Sequence, residues 1–430
     1  MHLLLRIPYA AAGAAARAAA AGSPAGEGKI LSSLRARRGI RERYAAWGAS
    51  GRDPSRALVW LHAPSVGEGL QARPVVAQLR AHRPDVQIAY TFFSPSAEPF
   101  ARRMGADFCD YLPFDTAGDA AAAIGALQPT ALVYSKLDVW PVLTERASAS
   151  GIALGLISAT LAAGSARRSG IGALLLRDAY AALDAVGAIS ADDAARLTQL
   201  GVRADRISVT GDARYDEAFA RAQAAAAQSA LLTPLRSNRP TLVAGSTWPS
   251  DESPLLEAWR SVTNRMPEAR LVIAPHEPTP SHLEPIAAWA ADAGMRCAKL
   301  SDPASADAGV VLVDRVGVLG DLYSLAQVAY VGGGFHSAGL HSVIEPAAFG
   351  VPVLFGPRHG ASRDAALLLE RGGGFSVGAA GEMAARLLAL LADPAARSET
   401  GGRALALVRG GLGAAGRSAA LVETLIPSAR

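Results

Sequence analysis

Glu68 stands in the turn Ser65-Val66-Gly67-Glu68-Gly69, directly after an apolar run and at the opening of a helical stretch. A carboxylate placed at a strand end can take a proton from a substrate hydroxyl as that hydroxyl attacks. The same acid would also interact favourably with the helix dipole, and that reading needs no substrate. A second set of polar residues follows Gly332, Gly333 and Gly334, which close the run Gln327–Val331. Glycines there let the backbone approach a ligand closely. His341, Ser342 and Glu345 come next, where a new helix opens and offers free N–H groups to an anion. His341 and Glu345 are four apart, so a helical geometry would put them on one face. Ser342 and Glu345 also fit a capping box. The glycines before them and "GVPVLFGP" after them favour a nucleotide site, with Glu345 accepting hydrogen bonds from ribose hydroxyls.

Other strand ends carry similar groups. Ser246 and Thr247 follow "LVAG" and offer donors to a phosphate, or simply cap a helix. Arg214 follows "VTGDA" and could reach a phosphate across a cleft, or stand as a solvated charge. His276 closes "LVIAP" and means little alone. No dinucleotide fingerprint, P-loop or zinc-binding HExxH is present. The basic stretch 35–43 has too little aromatic interleaving to argue nucleic-acid reading.

The elements that position these residues are regular from residue 57 onward. "ALVWLHA", "VQIAYTF", "TALVYS", "IALGLIS", "AVGAIS" and "RISVTG" read as short strands, most of them separated by helical stretches. A second series runs "PTLVAGS", "ARLVIAP", "GVVLVD", "QVAYVGGG" and "VPVLFGP". Strands alternating with helices predict parallel, doubly wound sheets. The chain of 430 residues, half of them apolar, is long enough for two cores. The stretch from Ala218 to Pro240 holds no strand pattern, and the boundary is placed there. The expected divisions are an N-terminal segment 1–45, a first Rossmann-like domain 46–225, and a second, 236–430, that includes an Ala/Leu-rich helical tail. In such sheets ligands bind beyond the carboxyl ends of the strands.

Charge and cysteine usage bound the setting. The formal net charge of +4 suits an anionic partner such as phosphate, nucleotide or membrane surface. Cys109 and Cys297 lie far apart and form neither a metal-binding spacing nor a disulfide framework, so a reducing cytoplasmic setting is the default. The first 22 residues are apolar but broken by Arg6, Pro8 and Arg17, which is poor for a membrane span. The stretch "LRARRGIRERYAAWG" is basic, and Tyr44 and Trp47 suit the surface of an anionic leaflet. A plain surface helix and an export signal are the competing readings of this end.

Five blocks in order, "HAPSVGEG", "LDVWP", "VTGDARYD", "AGSTWPSDE" and "GLHSVIEPAAFGVPVLFGP", resemble bacterial 3-deoxy-D-manno-octulosonic acid (Kdo) transferases from about residue 40 to 365. The resemblance implies a GT-B glycosyltransferase with two Rossmann-like domains facing across a cleft. It implies inverting transfer of Kdo from CMP-Kdo to a lipid A precursor in lipopolysaccharide biosynthesis, at the cytoplasmic face of the inner membrane. It implies no cofactor and no bound metal, and a peripheral or N-terminally anchored protein. Glu68 matches the family's general base. Arg214, Ser246, Thr247, His276, Gly332 to Gly334, His341, Ser342 and Glu345 would hold the nucleotide sugar. Ser65, Gly67, Lys136, Asp138, Ser165 and Arg167 would lie on the acceptor side, and the glycines beside Glu68 would leave room for a bulky acceptor.

The chain departs from the family pattern in places. An acidic E-T-E-L-W-P block reads Lys136-Leu137-Asp138-Val139-Trp140-Pro141 here, N-A-R-L reads Ser158-Ala159-Thr160-Leu161, and R-H-P reads Pro275-His276-Glu277. The stretch after "LFGP" diverges at Arg358-His359-Gly360. A cation in place of an acid reverses local charge and would alter donor or acceptor choice. A relative using another nucleotide sugar, and a catalytically silent paralogue that binds sugar nucleotides, are the alternatives.

Overall fold

The computed structural model describes residues 1–22, 28–228 and 232–428. The chain forms two compact units. One is Met1–Glu217 with Gly413–Arg430, and the other is Ala218–Leu412. Each is built on one seven-stranded sheet.

In the first unit the strands are β1 (Leu58–His62), β2 (Gln87–Phe92), β3 (Phe108–Tyr111), β4 (Ala131–Ser135), β5 (Ala153–Ala159), β6 (Ala185–Ala188) and β7 (Ile207–Val209). Their order is β3-β2-β1-β4-β5-β6-β7, and every pairing is parallel. The central strands are buried on both faces, which is why they read as unbroken apolar runs. The chain winds outward from β1 through β2 to β3, then returns to place β4 on the other side of β1. The loops after β1 and β4 therefore meet at the switch point, where doubly wound sheets bind ligands.

The second unit repeats the plan. Its strands are β8 (Thr241–Thr247), β9 (Arg270–Pro275), β10 (Cys297–Lys299), β11 (Val310–Leu312), β12 (Val328–Val331), β13 (Val353–Phe355) and β14 (Gly374–Ser376). The order is β10-β11-β9-β8-β12-β13-β14, again all parallel. The switch point lies between β8 and β12. All eleven strands expected from the sequence are present. The three that were not foreseen, β3, β10 and β14, each sit at a sheet edge.

Two expectations need correction. The tail does not belong wholly to the second unit. Its last helix, Ala414–Glu423, buries Ala415, Ala419 and Val422 in the first unit's core. Asp216 fixes the start of that helix by accepting from the N–H groups of Gly413 at 2.8 Å and Ala415 at 3.0 Å. The expected break between 225 and 236 is also not the observed one, which falls after Glu217; residues 229–231 of that stretch lie outside the described residues.

The N-terminal lead-in is helical: α1 (Leu3–Gly22), α2 (Lys29–Ala36) and α3 (Ile40–Ser50). Tyr44 and Trp47 are not surface anchors. Tyr44 is 1% exposed, donates to the Tyr111 carbonyl at 2.9 Å, and meets Phe108 edge-on. Trp47 packs on Phe108 at 5.0 Å. The neighbouring cations are engaged too: Arg43 pairs with Asp110 at 2.6 Å and Arg41 with Asp119 at 2.5 Å. Among the described residues no helix is long and apolar enough to cross a membrane.

Close packing of the second unit rests in part on Gly401, in the helix Pro394–Gly410. A Cβ at that position would strike the carbonyl oxygen of Gly350. Gly401→Ala is expected to cost about 1–3 kcal/mol through backbone displacement. Thermal unfolding reads this directly, and an unchanged midpoint would contradict the packing described.

Candidate functional site

The helix α4 (Val66–His82) begins immediately after β1, with Ser65 as its N-cap. Glu68 lies in its first turn, where the dipole favours a negative charge. Ser65 Oγ donates to Glu68 Oε2. Lys136 Nζ, from the loop after β4, donates to Glu68 Oε1 at 3.0 Å. Ser135 Oγ donates to the Glu68 backbone carbonyl at 3.3 Å. Residues 65, 68 and 136 are thus brought together at the first switch point. Burial pushes the Glu68 carboxyl up, but the bonds from Ser65 and Lys136 outweigh it and hold the group below the usual glutamate range. Glu68 is 15% exposed and Lys136 45%, so the pair stands at the rim and not in the core.

Lys136 adopts a left-handed backbone, with φ of 65°. For a residue with a Cβ this costs about 1–2 kcal/mol. Its N–H donates to the Ile157 carbonyl on β5 at 2.8 Å, which anchors the turn. Ser158 beside it also has positive φ, 50°. Its hydroxyl is buried and has no hydrogen-bond partner among the described residues. Backbone outliers of this kind gather at functional sites.

Asp138 lies two residues beyond Lys136. It bonds His62 Nε2 at 3.2 Å and accepts from Trp140 Nε1 at 2.9 Å. Burial raises its pKa, but the His62 and Trp140 bonds and the nearby Arg167 charge prevail and lower it. Arg167 and Ser165 sit in the turn after β5, where Ser165 Oγ accepts from the Arg167 N–H at 3.3 Å. His62 is fully buried, and its Nδ1 lies 3.0 Å from Thr91 Oγ1. The sequence reading missed His62 and Ser158. A histidine closing an apolar strand was the available signal for the first; the second opens the stretch that departs from the family's N-A-R-L block, which was the signal for it.

The glycines beside Glu68 serve different ends. Gly67 is the less crowded of the two: a Cβ there would meet only Ser65 Oγ, at ordinary contact distance. Gly69 does not face open space: a Cβ there would meet Phe100 and the Tyr90 hydroxyl. Arg214 folds back onto Asp212, with its Nη2 at 2.6 Å from Oδ2.

In the second unit the ends of β8, β9 and β12 converge. The Gly332 N–H donates to the Gly245 carbonyl at 2.9 Å, His276 N–H to Thr247 at 2.9 Å, and His341 N–H to Gly332 at 3.1 Å. Ser246 has φ of 54°. The three glycines make this convergence sterically possible. A Cβ on Gly332 would strike the Ser246 carbonyl, one on Gly333 the Gly339 carbonyl, and one on Gly334 the backbone of Gly356. At each of these three positions the room a side chain would need is taken by the protein's own backbone.

Asp251, which the sequence reading did not single out, organises the loop. It is fully buried in the helix Pro249–Thr263. Its carboxylate accepts from the N–H groups of Gly333 at 2.8 Å, Phe335 at 3.0 Å and Trp248 at 3.0 Å, and from the Tyr330 hydroxyl at 3.1 Å. Trp248 stacks between His276 at 4.5 Å and His336 at 4.2 Å. Its Nε1 donates to His341 Nε2 at 3.3 Å. Burial, together with the neighbouring His276, lowers His341 to about 4, so its ring is neutral near pH 7 and can accept that bond. Thr247 Oγ1 donates to Glu252 Oε1 at 2.9 Å.

The expected capping box at Ser342 is not formed. The helix is Ile344–Ala347 and its cap is Val343, with no side-chain cap bond. His341 consequently lies in the loop and does not share a helix face with Glu345. Glu345 sits in the first turn, within electrostatic reach of Tyr323.

Two doubly wound parallel sheets, each with its polar residues at the switch point, define a GT-B architecture. Solved structures agree on the fold. A UDP-GlcNAc 2-epimerase from Neisseria meningitidis aligns with a TM-score of 0.60 at 15% identity, over 83% of this chain and 99% of that one. A glycosyltransferase from Rickettsia africae aligns with a TM-score of 0.57 at 12% identity, over 86% and 97%.

Residues 38–217 match the family model described as 3-deoxy-D-manno-octulosonic-acid transferase (kdotransferase). The 3-deoxy-D-manno-octulosonic acid transferase of Bordetella pertussis is 31% identical over 336 residues, which is 75% of this chain and 77% of that protein. That of Haemophilus influenzae is 27% identical, covering 76% of each. The chain belongs to the 3-deoxy-D-manno-octulosonic-acid transferase family, and is a glycosyltransferase.

Removing Asp251 would leave three N–H donors and a tyrosine hydroxyl unpaired at the centre of the second switch point. Asp251→Ala is expected to destabilise by about 3–5 kcal/mol, as for other buried charged networks that lose a partner, and to raise hydrogen exchange at Gly333 and Phe335. Retained protection at those two amides would show that the glycine loop does not depend on Asp251.

Proposed function

We propose that this protein transfers Kdo from CMP-Kdo to a lipid A precursor, with inversion at the anomeric carbon, as a peripheral protein at the cytoplasmic face of the bacterial inner membrane. The observation that carries the reading is the Glu68 carboxylate, ionised and oriented at the first switch point by Ser65 and Lys136. The acceptor hydroxyl oxygen attacks the anomeric carbon of Kdo. Its proton passes to Glu68. The bond from that carbon to the phosphate oxygen breaks, and CMP leaves carrying the electron pair. A carboxylate base is worth about 10²–10⁴-fold in such a step.

The ion pair with Lys136 weakens that base, because a neighbouring cation lowers proton affinity. Lys136 is half exposed and can also bind an anionic group of an incoming substrate. Competition of that kind would loosen its hold on Glu68 and restore basicity when substrate is present. In the second unit, the nucleotide sugar is assigned to Ser246, Thr247, His276, the Gly332–Gly334 loop, His341, Ser342 and Glu345. Support comes from the convergence of Thr247, His276, Gly332 and His341 beyond β8, β9 and β12. Arg214 is assigned to the donor's negative charge, for which it would exchange part of its contact with Asp212.

The Lys136 contact also motivates a second reading, a catalytically silent paralogue that binds sugar nucleotide without turnover. Incubation with CMP-Kdo and a tetra-acylated disaccharide bisphosphate, followed by mass spectrometry, separates the two. The wild-type chain is expected to form the Kdo adduct and release CMP. Glu68→Gln is expected to lose about 10²–10⁴-fold in kcat while binding CMP-Kdo as tightly as before. Undiminished turnover in Glu68→Gln removes the base assignment; donor binding without product in the wild type favours the silent paralogue.

A further inference from the structure

A cavity of about 530 Å³ lies beyond the carboxyl ends of β2, β3 and β4, within the range of small-molecule sites. Its roof is α1 and α2, which contribute Tyr9, Ala12, Ala16, Ile30 and Leu34. Its opposite wall includes Phe93, Pro113, Phe114 and Trp140. Phe93 and Trp140 stack on each other at 5.4 Å.

The polar groups in this wall already have partners. The Tyr9 hydroxyl donates to Asp115 at 2.7 Å, and Asp115 also accepts from the N–H groups of Val142 and Leu143. Arg37 donates to the carbonyls of Leu112 at 2.8 Å and Phe93 at 3.2 Å, and its guanidinium covers the Phe93 ring at 4.1 Å. What remains facing the cavity is apolar surface, which favours an apolar occupant over water.

The rim and its neighbour narrow the class of occupant. Ile30, at the edge, is 78% exposed, and α1 presents Leu3, Leu4 and Ile7 at 76%, 79% and 81%. Isolated exposed apolar residues are ordinary; here Ile30 lines the cavity itself, and Leu3, Leu4 and Ile7 lie on the helix that also supplies Tyr9, Ala12 and Ala16 to its lining. A second cavity of about 230 Å³ shares Arg37 and Phe114 with the first. It is lined by four arginines, Arg17, Arg37, Arg38 and Arg41, against two carboxylates, Glu42 and Asp119. An apolar slot beside a region of net positive charge fits a molecule with a hydrocarbon chain and an anionic head.

The walls also connect to Glu68. The N–H groups of Phe93 and Ser94 donate to the Pro64 carbonyl at 3.0 and 2.9 Å, and Pro64 precedes the serine that holds Glu68. Trp140 donates to Asp138, in the same loop as Lys136. We propose that this cavity receives one acyl chain of the acceptor lipid and so positions the acceptor's sugar head toward Glu68. The inference rests on the function proposed above and adds the site that recognises the acceptor's lipid part.

The test uses the full chain and CMP-Kdo with two acceptors, the tetra-acylated disaccharide bisphosphate and the same disaccharide stripped of its acyl chains. Ala12→Trp and Ala16→Trp each fill the cavity from α1. Each is expected to raise KM for the acylated acceptor by about tenfold or more, equivalent to about 1.4 kcal/mol of lost binding, and to leave the deacylated acceptor unaffected. An equal effect on both acceptors, or no effect on either, overturns the proposal.

A second measurement needs no turnover. A disaccharide bisphosphate carrying brominated acyl chains is expected to quench the fluorescence component that Trp140→Phe removes. Absence of that quenching overturns the acyl site even where transfer proceeds. Quenching without transfer to either acceptor supports the acyl site and instead overturns the function on which it rests. Equal quenching by phosphatidic acid with brominated chains assigns the cavity to bulk membrane lipid and overturns its role in acceptor recognition.

Discussion

The contact between Glu68 and Lys136 is the constraint around which the first unit is arranged. It joins the loop after β1 to the loop after β4, the two strands between which the winding direction reverses. Each residue has a further support of its own. Ser65 caps α4 and bonds the carboxylate. Ile157 accepts the Lys136 N–H and holds a backbone conformation that a side-chain-bearing residue otherwise avoids. The bonds offset the burial of the carboxylate, so Glu68 is ionised at neutral pH without being sealed from solvent.

The second unit solves a similar problem with a different group. There a buried carboxylate, Asp251, works inward and ties the glycine loop to its own helix. The two acids show how burial divides roles. Asp251 has its oxygens taken by N–H and hydroxyl donors, which suits it to hold a loop in place. Glu68 keeps part of its carboxylate exposed and is held by side chains, Ser65 and Lys136, not by backbone N–H groups.

Much of this was legible in the sequence, and the exceptions have physical causes. Central strands such as Leu58–His62 and Thr241–Thr247 are covered on both faces, so their composition alone declares them. The missed strands are edges, where one side lacks a partner and polar residues such as Asp110 and Lys299 are admitted. Glu68 and the glycine loop were singled out because strand ends concentrate chemistry, and Lys136 because it departs from the resembled family's acidic block; the structure puts Glu68 and Lys136 in contact. His62, Ser158 and Asp251 escaped because their roles depend on neighbours distant in sequence. Tyr44 and Trp47 were misread for a related reason: aromatic rings among arginines look alike whether the rings face lipid or a core, and only the packing on Phe108 separates the cases. The glycines at 332–334 were expected to let the backbone approach a ligand; what the structure shows there is close approach of the protein's own backbone.

The most direct test of the account is the pH dependence of kcat/KM for Kdo transfer in Lys136→Met. The acid limb of that profile reports the essential base of the free enzyme. Without the neighbouring ammonium the ionised form of Glu68 loses stabilisation, so its pKa rises and the acid limb moves to higher pH. A limb that stays in place, or moves to lower pH, would contradict the claim that Lys136 sets the proton affinity of Glu68, the proposed general base.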